Sequence, residues 1–142
     1  MGGIYSDQAK AVTTDGNANI YITGFISGDA DFDGDGISDI SSQGSSDIFF
    51  AKYDSSGTLI WAKSIGGSDS DYGQDIALDG SGNVYVTGYF NSAMDIDPSS
   101  GITTLTSAGG ADVFIAVYKN DGTFLRGFSV GGSDDDYAYS LD

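Results

Sequence analysis

Five aspartates crowd into eleven residues of this chain, and four of them have the spacing of a metal-binding loop. In the stretch Asp-Phe-Asp-Gly-Asp-Gly-Ile-Ser-Asp, carboxylates stand at loop positions 1, 3, 5 and 9, and glycine stands at position 6. Alternate residues of a tightly curled loop aim their carboxylates at one centre, and the residue at position 7 donates its backbone carbonyl. The predicted ligands are the side chains of Asp31, Asp33, Asp35 and Asp39 and the carbonyl of Ile37.

The chemistry of this loop favours Ca²⁺. No Lys or Arg stands near it, so without a cation the carboxylates repel one another. A flexible all-oxygen site suits Ca²⁺ better than Mg²⁺. Ser42 stands at position 12, where a full calcium loop has a bidentate Glu, so we expect weak affinity of ~10⁻⁴ to 10⁻³ M. That range is typical of extracellular modules, and it predicts a secreted or cell-surface protein. The alternative is a solvated acidic loop whose Asp side chains cap turns.

The composition predicts strands and turns rather than helices. All 21 acidic residues are Asp, Glu is absent, and 22 residues are Gly. Asp favours turns, whereas Glu is a good helix former. The net charge of -16 and the scarcity of Lys and Arg exclude a nucleic-acid-binding surface. No apolar run approaches the ~20 residues that span a bilayer, so membrane insertion is not expected.

The residues that are missing argue against catalysis. The chain has no His and no Cys, so the usual catalytic triads, cysteine nucleophiles and zinc sites cannot form. Arg126 is the single arginine, whereas a sialidase needs a cluster of them. A glycosidase that uses two Asp is still formally possible. The acidic pairs lie in turns, however, and we expect no enzymatic activity.

The chain contains an internal repeat. Residues 15–24 return as 79–88, an offset of 64, and residues 47–53 return as 112–118, an offset of 65. A Gly-Gly pair followed by Asp also recurs, at Gly66 and Gly131. Self-similarity of this kind indicates a repeat architecture. The predicted units are residues 1–65, residues 66–130, and the first strand of a further unit at residues 131–142.

Each unit reads as four short strands joined by turns that supply Gly, Asn or Asp. The second and third strands are apolar on both faces, as in Ile-Tyr-Ile and Ile-Phe-Phe. Blades that stack around an axis bury both faces of their sheets, unlike a two-layer sandwich. A parallel β-solenoid is the rival architecture, but its coils are usually shorter. The predicted strands are 8–14, 19–26, 48–53 and 59–65 in the first unit, 74–78, 83–90, 113–118 and 124–130 in the second, and 137–141.

These residues resemble a known family. The pattern Gly-Gly…Asp…Asp-x-x-Gly-Asn-x-Tyr-x-Thr-Gly…Asp-x-Phe-x-Ala-x-Tyr is similar to the bacterial β-propeller repeat called SBBP, and it covers nearly the whole chain. The resemblance implies an all-β fold of four-stranded antiparallel propeller blades. The family occurs in large secreted or surface proteins of mostly unassigned role. The acidic loop resembles the calcium loops of integrin-type propellers.

The equivalent place in the second repeat carries only Asp95 and Asp97, and we expect no full metal site there. The aspartates that recur where strands begin are expected to hold turns and blade edges by hydrogen bonds rather than to bind metal. They are Asp7, Asp71 and Asp136, together with Asp47 and Asp112. Trp61 is matched by Arg126, and we expect an ordinary outer-strand tryptophan, with stacking on a sugar as the less favoured role.

Three functions fit these features. The first is a non-catalytic, calcium-stabilised structural or adhesion scaffold outside the cell. The second is a subunit that assembles into a ring or a filament by strand exchange, since a closed propeller needs roughly four to eight blades. The third is a carbohydrate-binding propeller. The expected partners are further copies or further blades, with a surface glycan or a protein as additional candidates. No signal peptide is recognisable, so we expect either removal of export information or an internal piece of a longer polypeptide.

Overall fold

The computed structural model describes residues 2–3 and 5–142. Two similar four-stranded antiparallel sheets, here called blade 1 and blade 2, follow one another along the chain, each with a short hairpin inserted between its second and third strands. The described residues contain no helix, so no helical segment able to cross a membrane is found among them. The prediction of an all-β, antiparallel, β-propeller-like repeat fold is confirmed.

Blade 1 has the strand order β1-β2-β5-β6, and its insert is the two-stranded hairpin β3-β4. In the third strand of the blade, Asp47–Tyr53, successive side chains point to opposite faces of the sheet, and every residue is buried. The strands are β1 (Gln8–Thr14), β2 (Ile20–Ile26), β3 (Asp29–Ala30), β4 (Ile40–Ser41), β5 (Asp47–Tyr53) and β6 (Leu59–Gly67).

Blade 2 repeats this order as β7-β8-β11-β12, with the insert β9-β10. The insert also pairs with β6 of blade 1, opposite Gly66 and Gly67, and so extends the sheet of blade 1. The strands are β7 (Tyr72–Leu78), β8 (Val84–Phe90), β9 (Ala93–Asp95), β10 (Thr104–Thr106), β11 (Asp112–Tyr118) and β12 (Phe124–Val130). The sequence predicted the eight blade strands to within two residues, but it predicted neither insert hairpin. Residues 137–141, predicted as a ninth strand, form no strand because no neighbouring strand pairs with them among the residues described.

The main core lies in the junction between the two blades, where β7 packs against β1 and β2. We call the face of blade 1 that meets blade 2 its trailing face, and the opposing face of blade 2 its leading face. The trailing face contributes Tyr21, Ile48, Phe50 and Ile65, and the leading face contributes Val84, Val86, Phe90, Phe114, Ala116 and Tyr118. Phe50 stacks on Tyr118 with ring centroids 4.3 Å apart.

The leading face of blade 1 holds a second core, which is covered by the insert hairpin rather than by another blade. Ile26, Phe49, Ala51 and Tyr53 pack there against Ala30 and Phe32 of the insert. These four blade residues are the repeat equivalents of the leading face of blade 2. The two blades are therefore stacked in the same sense, leading face onto trailing face.

Recurrent Gly and Asp residues fasten the blades together. Asp71 is buried, its carboxylate accepts hydrogen bonds from the amides of Gly67 and Asn91, and its own amide donates to the carbonyl of Ser46 in blade 1 (2.7 Å). A Cβ at Gly66 would lie 2.5 Å from the carboxyl carbon of Asp47, so only glycine lets that carboxyl lie so close. The recurrent Gly-Gly…Asp motif therefore provides hydrogen bonds and close packing at the junction between the blades.

Candidate metal centre

The acidic loop is the turn of the β3-β4 hairpin. The hairpin closes by pairing of Asp29 with Ser41 and of Ala30 with Ile40, and the amide of Asp39 donates to the carbonyl of Ala30 (3.0 Å). Since the strands of this hairpin are only two residues long, the loop depends on other contacts for its position.

Phe32 anchors the loop to blade 1. Its side chain is 6% exposed and meets Phe49 edge to face at 4.9 Å. The hydroxyl of Tyr53 donates to the carbonyl of Phe32 (3.0 Å). Asp31 and Asp33 flank this anchor, and of the two Asp33 is exposed to solvent while Asp31 is half-buried.

Three of the predicted ligands come together. One carboxylate oxygen from each of Asp31, Asp33 and Asp39 lies within 4.8 Å of the other two. Ca²⁺ takes oxygen ligands at about 2.3–2.6 Å, so two ligands of one ion are at most about 5 Å apart. The spacing and the all-oxygen donor set therefore fit Ca²⁺. Asp33 and Asp39 are exposed to solvent, so water molecules would complete the coordination of an ion bound here.

Backbone amides of the loop hold these carboxylates in place. Asp31 accepts from the amides of Gly34 (2.6 Å) and Gly36 (2.9 Å), and these two hydrogen bonds lower the pKa of Asp31 below its usual value. Both glycines have positive φ, 83° and 88°, a conformation that other residues adopt at a cost. Asp39 accepts from the amide of Phe32 (2.7 Å), which ties the end of the loop to its start.

The two other predicted ligands are placed differently. Asp35 is not a member of the three-carboxylate group, and its side chain accepts from the amide of Ile37 (2.7 Å). The side chain of Ile37 is 70% exposed. Ligation through Asp35 and the carbonyl of Ile37 stays a prediction.

The loop creates a strongly negative potential at the leading face of blade 1. Burial, followed by the charges of Asp39, Asp33 and Asp31, raises the pKa of Tyr53 to about 12. The phenol therefore stays protonated at neutral pH, and it can keep donating to the carbonyl of Phe32. A cation at the loop would offset this potential.

The insert of blade 2 has the same anchor and a different turn. The hydroxyl of Tyr118 donates to the carbonyl of Ile96 (2.9 Å), as Tyr53 does to Phe32. Asp95 accepts from the amides of Asp97 and Thr103, and Asp97 accepts from that of Ser99. No group of three carboxylates forms in this insert among the residues described.

The other recurrent aspartates lie at blade edges, where they accept backbone hydrogen bonds. Asp47 accepts from the amide of Gln43 (2.7 Å) and Asp112 from that of Ala108 (2.9 Å). One carboxylate oxygen of each, Oδ1, is buried without a hydrogen-bond partner among the residues described. Burial raises the pKa of Asp47, and burial raises that of Asp71 to about 6.

Trp61 belongs to the junction and not to an open surface. Its ring meets Tyr21 at 6.3 Å and Phe50 at 5.8 Å, and its indole nitrogen donates to the carbonyl of Asn120 in blade 2 (3.1 Å). Trp61 on β6, the outer strand of blade 1, therefore has a packing role, as the sequence analysis expected.

Comparison with known proteins agrees with this architecture. The family model of the SBBP beta-propeller repeat matches residues 60–93, which run from β6 to β9 across the blade junction. An uncharacterized WD repeat-containing protein of Acanthamoeba polyphaga mimivirus is 34% identical over 116 residues, covering 70% of this chain and 8% of that protein. The regulatory protein FlaEY of Caulobacter vibrioides is 30% identical over 144 residues, covering 99% of this chain and 15% of that protein.

The fold and these matches define the class: the chain is built as a β-propeller-like repeat scaffold. It spans less than a sixth of the length of either curated relative. Neither the family description nor these two names states an enzymatic activity or a metal.

Proposed function

We propose that this chain is a non-catalytic, calcium-binding β-propeller repeat module that serves as a structural or adhesion scaffold outside the cell. The observation that carries the proposal is the convergence of Asp31, Asp33 and Asp39 on one point of a loop anchored by Phe32. Calcium would join the two ends of that loop and neutralise its charge. The weak affinity expected from Ser42 at position 12 matches the calcium concentrations found outside cells, which supports the proposed location.

Ligand binding to the folded state raises stability by mass action, so calcium should raise the thermal midpoint. We expect a midpoint several degrees higher in millimolar Ca²⁺ than in chelator, and a smaller rise in Mg²⁺. Asp33→Asn should abolish the calcium effect, because it removes one of the three converging carboxylates. Thermal unfolding followed by circular dichroism measures both.

The repeat offers a matched control. Asp97 occupies the position of Asp33 in the blade 2 insert, so Asp97→Asn removes the same charge where no three-carboxylate group forms. This variant should keep the full calcium response. Equal midpoints of the wild-type protein in calcium and in chelator would refute the calcium proposal and leave the scaffold fold intact.

Carbohydrate binding is the weaker alternative. The aromatic residue that the sequence singled out for stacking on a sugar is Trp61, and its ring packs in the blade junction. A glycan array with the wild-type protein tests it directly, and a reproducible signal that Trp61→Phe removes would favour it over the adhesion scaffold.

A further inference from the structure

Several Asp-Gly pairs occur in this chain, and each is a place where the backbone can rearrange. The backbone nitrogen of the glycine attacks the carboxyl carbon of the aspartate, and glycine has no side chain to obstruct the approach. Water leaves, and a five-membered succinimide ring forms. When the ring takes up water again, the chain can continue through the former side chain as a β-linked isomer. The pairs begin at Asp15, Asp33, Asp35, Asp79 and Asp121.

Two of these aspartates are held firmly in the turns that join the first and second strands of each blade. Asp15 accepts four hydrogen bonds, from two backbone amides, the side-chain amide of Asn19 and the hydroxyl of Tyr21. Asp79 accepts three, from two backbone amides and the side-chain amide of Asn83. Because these bonds must break before the carboxyl carbon can turn towards the next nitrogen, both pairs are protected.

The pair that begins at Asp121 is protected by burial of its glycine. Gly122 lies in the blade junction, where a Cβ would be 3.2 Å from the side chain of Lys63 and 3.6 Å from that of Trp61. Its amide also donates to the carbonyl of Lys119 (2.9 Å). A ring that closed at this nitrogen would meet the outer strand of blade 1, so we expect slow rearrangement here.

The two pairs of the acidic loop have the weakest protection. Among the residues described, the carboxylate of Asp33 accepts one hydrogen bond, from the amide of Asp35 (3.0 Å), and that of Asp35 accepts one, from the amide of Ile37 (2.7 Å). A Cβ at Gly34 or at Gly36 would meet nothing within 4 Å. All five residues are exposed, so a ring has space to form at either pair.

The carboxylate of Asp31 restrains the nitrogens that would attack in this loop. The amides of Gly34 and Gly36 donate to its two oxygens, at 2.6 Å and 2.9 Å. Each of these amide protons is therefore held towards Asp31, and its hydrogen bond must break before the nitrogen can close a ring. Asp31 itself precedes the buried Phe32 rather than a glycine, so it restrains the rearrangement without being a site of it.

We infer that Asp33 and Asp35 are the sites at which this chain converts spontaneously to the β-linked isomer, with Asp31 as the residue that slows the conversion. At Asp33, a bond forms between the carboxyl carbon and the nitrogen of Gly34, and the hydroxyl group leaves with a proton as water. Water then adds to the main-chain carbonyl carbon of residue 33 and breaks its bond to that nitrogen. The product has the original mass, one more atom in its backbone, and its free carboxylate directly on Cα.

Conversion at Asp33 would remove the candidate metal centre. Its carboxylate moves from the end of the side chain to Cα, so it can no longer converge with those of Asp31 and Asp39. Bound calcium would hold the carboxylates of Asp31 and Asp33 and so slow the conversion. The expected effect of calcium rests on the proposed function, whereas the choice of Asp33 and Asp35 does not.

Incubation of the wild-type protein at physiological temperature in chelator tests the inference. Proteolysis, chromatography and electron-transfer fragmentation then locate each β-linked residue, although its mass is unchanged. Conversion at Asp33 and Asp35 should be roughly tenfold faster than at Asp15, because fewer hydrogen bonds must break. Asp79 and Asp121 serve with Asp15 as internal controls in the same molecule.

Substitutions separate the site from its restraint. Asp31→Ala should speed conversion at both loop pairs several-fold, since it frees both glycine amides. Asp95→Ala removes the equivalent aspartate of blade 2 and should leave the rate unchanged. Gly34→Ala should slow conversion at Asp33 and leave that at Asp35, because only the first nitrogen gains a neighbouring side chain. Unchanged far-ultraviolet circular dichroism will show that each variant folds.

No conversion at either loop pair would overturn the inference, and so would equal rates at all the Asp-Gly pairs. A wild-type rate in Asp31→Ala would show that this carboxylate is not the restraint. Loop conversion at the same rate in calcium and in chelator would instead count against the proposed calcium function alone, so the two failures can be told apart.

Discussion

The two insert hairpins share an anchor and differ in chemistry. In both, a blade tyrosine donates to a backbone carbonyl of the insert, from Tyr53 to Phe32 and from Tyr118 to Ile96. In blade 1 the turn that follows gathers three carboxylates. In blade 2 the carboxylates of Asp95 and Asp97 also accept from backbone amides of the turn, but no third carboxylate joins them among the residues described.

This difference shows that the anchoring of an insert to its blade and the convergence of carboxylates in its turn depend on different residues. The anchor belongs to the blade, because it recurs wherever the repeat recurs. The convergence of the three carboxylates comes from a few residues of the turn, above all Asp39 and the two glycines with positive φ, Gly34 and Gly36. A repeat can therefore gain or lose a candidate site without any change to its sheet.

Removal of the anchoring side chain should have the largest effect. Phe32→Ala deletes a buried aromatic ring and should lower the free energy of unfolding by about 3–5 kcal/mol, and it should also abolish the calcium response. Ile96→Ala deletes the equivalent buried side chain and should cost about 2–5 kcal/mol while the calcium response is kept. Urea unfolding with and without calcium measures both quantities. Equal loss of the calcium response in both variants would contradict the separation of anchor and site.

The buried carboxyl group of Asp71 in the blade junction should make the stability of the protein depend on pH. The folded pKa of Asp71 is about 6, above its ordinary value of 3.8, so the protonated form is the one that stabilises the fold. This contribution is complete below pH 3.8 and is lost as the pH rises through 6. Acidification from pH 7 to pH 5 should therefore stabilise the protein, by about 1–2 kcal/mol from this group.

The variant Asp71→Asn should reduce the rise in stability between pH 7 and pH 5, and Asp47, whose pKa is also raised by burial, contributes a rise of the same sign. Asp136 accepts the equivalent hydrogen bond from the amide of Gly132 and is only half-buried, so Asp136→Asn serves as the matched control for the removal of one carboxylate. Unfolding midpoints in urea at several pH values provide the measurement. If Asp71→Asn retains the full rise, the junction carboxyl is not its source.

The smallest effect should come from the two anchoring hydroxyl groups. Tyr53→Phe and Tyr118→Phe each remove one hydrogen bond to a carbonyl and should each cost about 1 kcal/mol. Only Tyr53→Phe should also weaken calcium binding, by a few-fold, because it frees the carbonyl between Asp31 and Asp33. Calorimetric titration with Ca²⁺ distinguishes the variants, and identical calcium affinities would show that Phe32 alone positions the loop.

The repeat made the fold predictable from the sequence. Each blade strand appears twice with its turn residues, so the pattern of one copy checks the other, and the observed bounds differ by two residues at most. The inserts were not predictable in this way. The β3-β4 and β9-β10 hairpins have strands of two or three residues, too short for any periodicity. The pairing of β9 with β6 joins two different blades, and no local pattern encodes it.

The sequence by itself determined the residue types at the candidate centre: alternating Asp, glycine at the turn, and no neighbouring cation. Spacing along the chain limits which side chains can meet. Only the tertiary structure decided which of them do meet, because burial of Phe32 against blade 1 and the hydrogen bond from its amide to Asp39 fix the path of the loop. Likewise, the sequence shows that Ile65 and Val130 are equivalent, and only the stacking of the blades decided that one is buried and the other exposed.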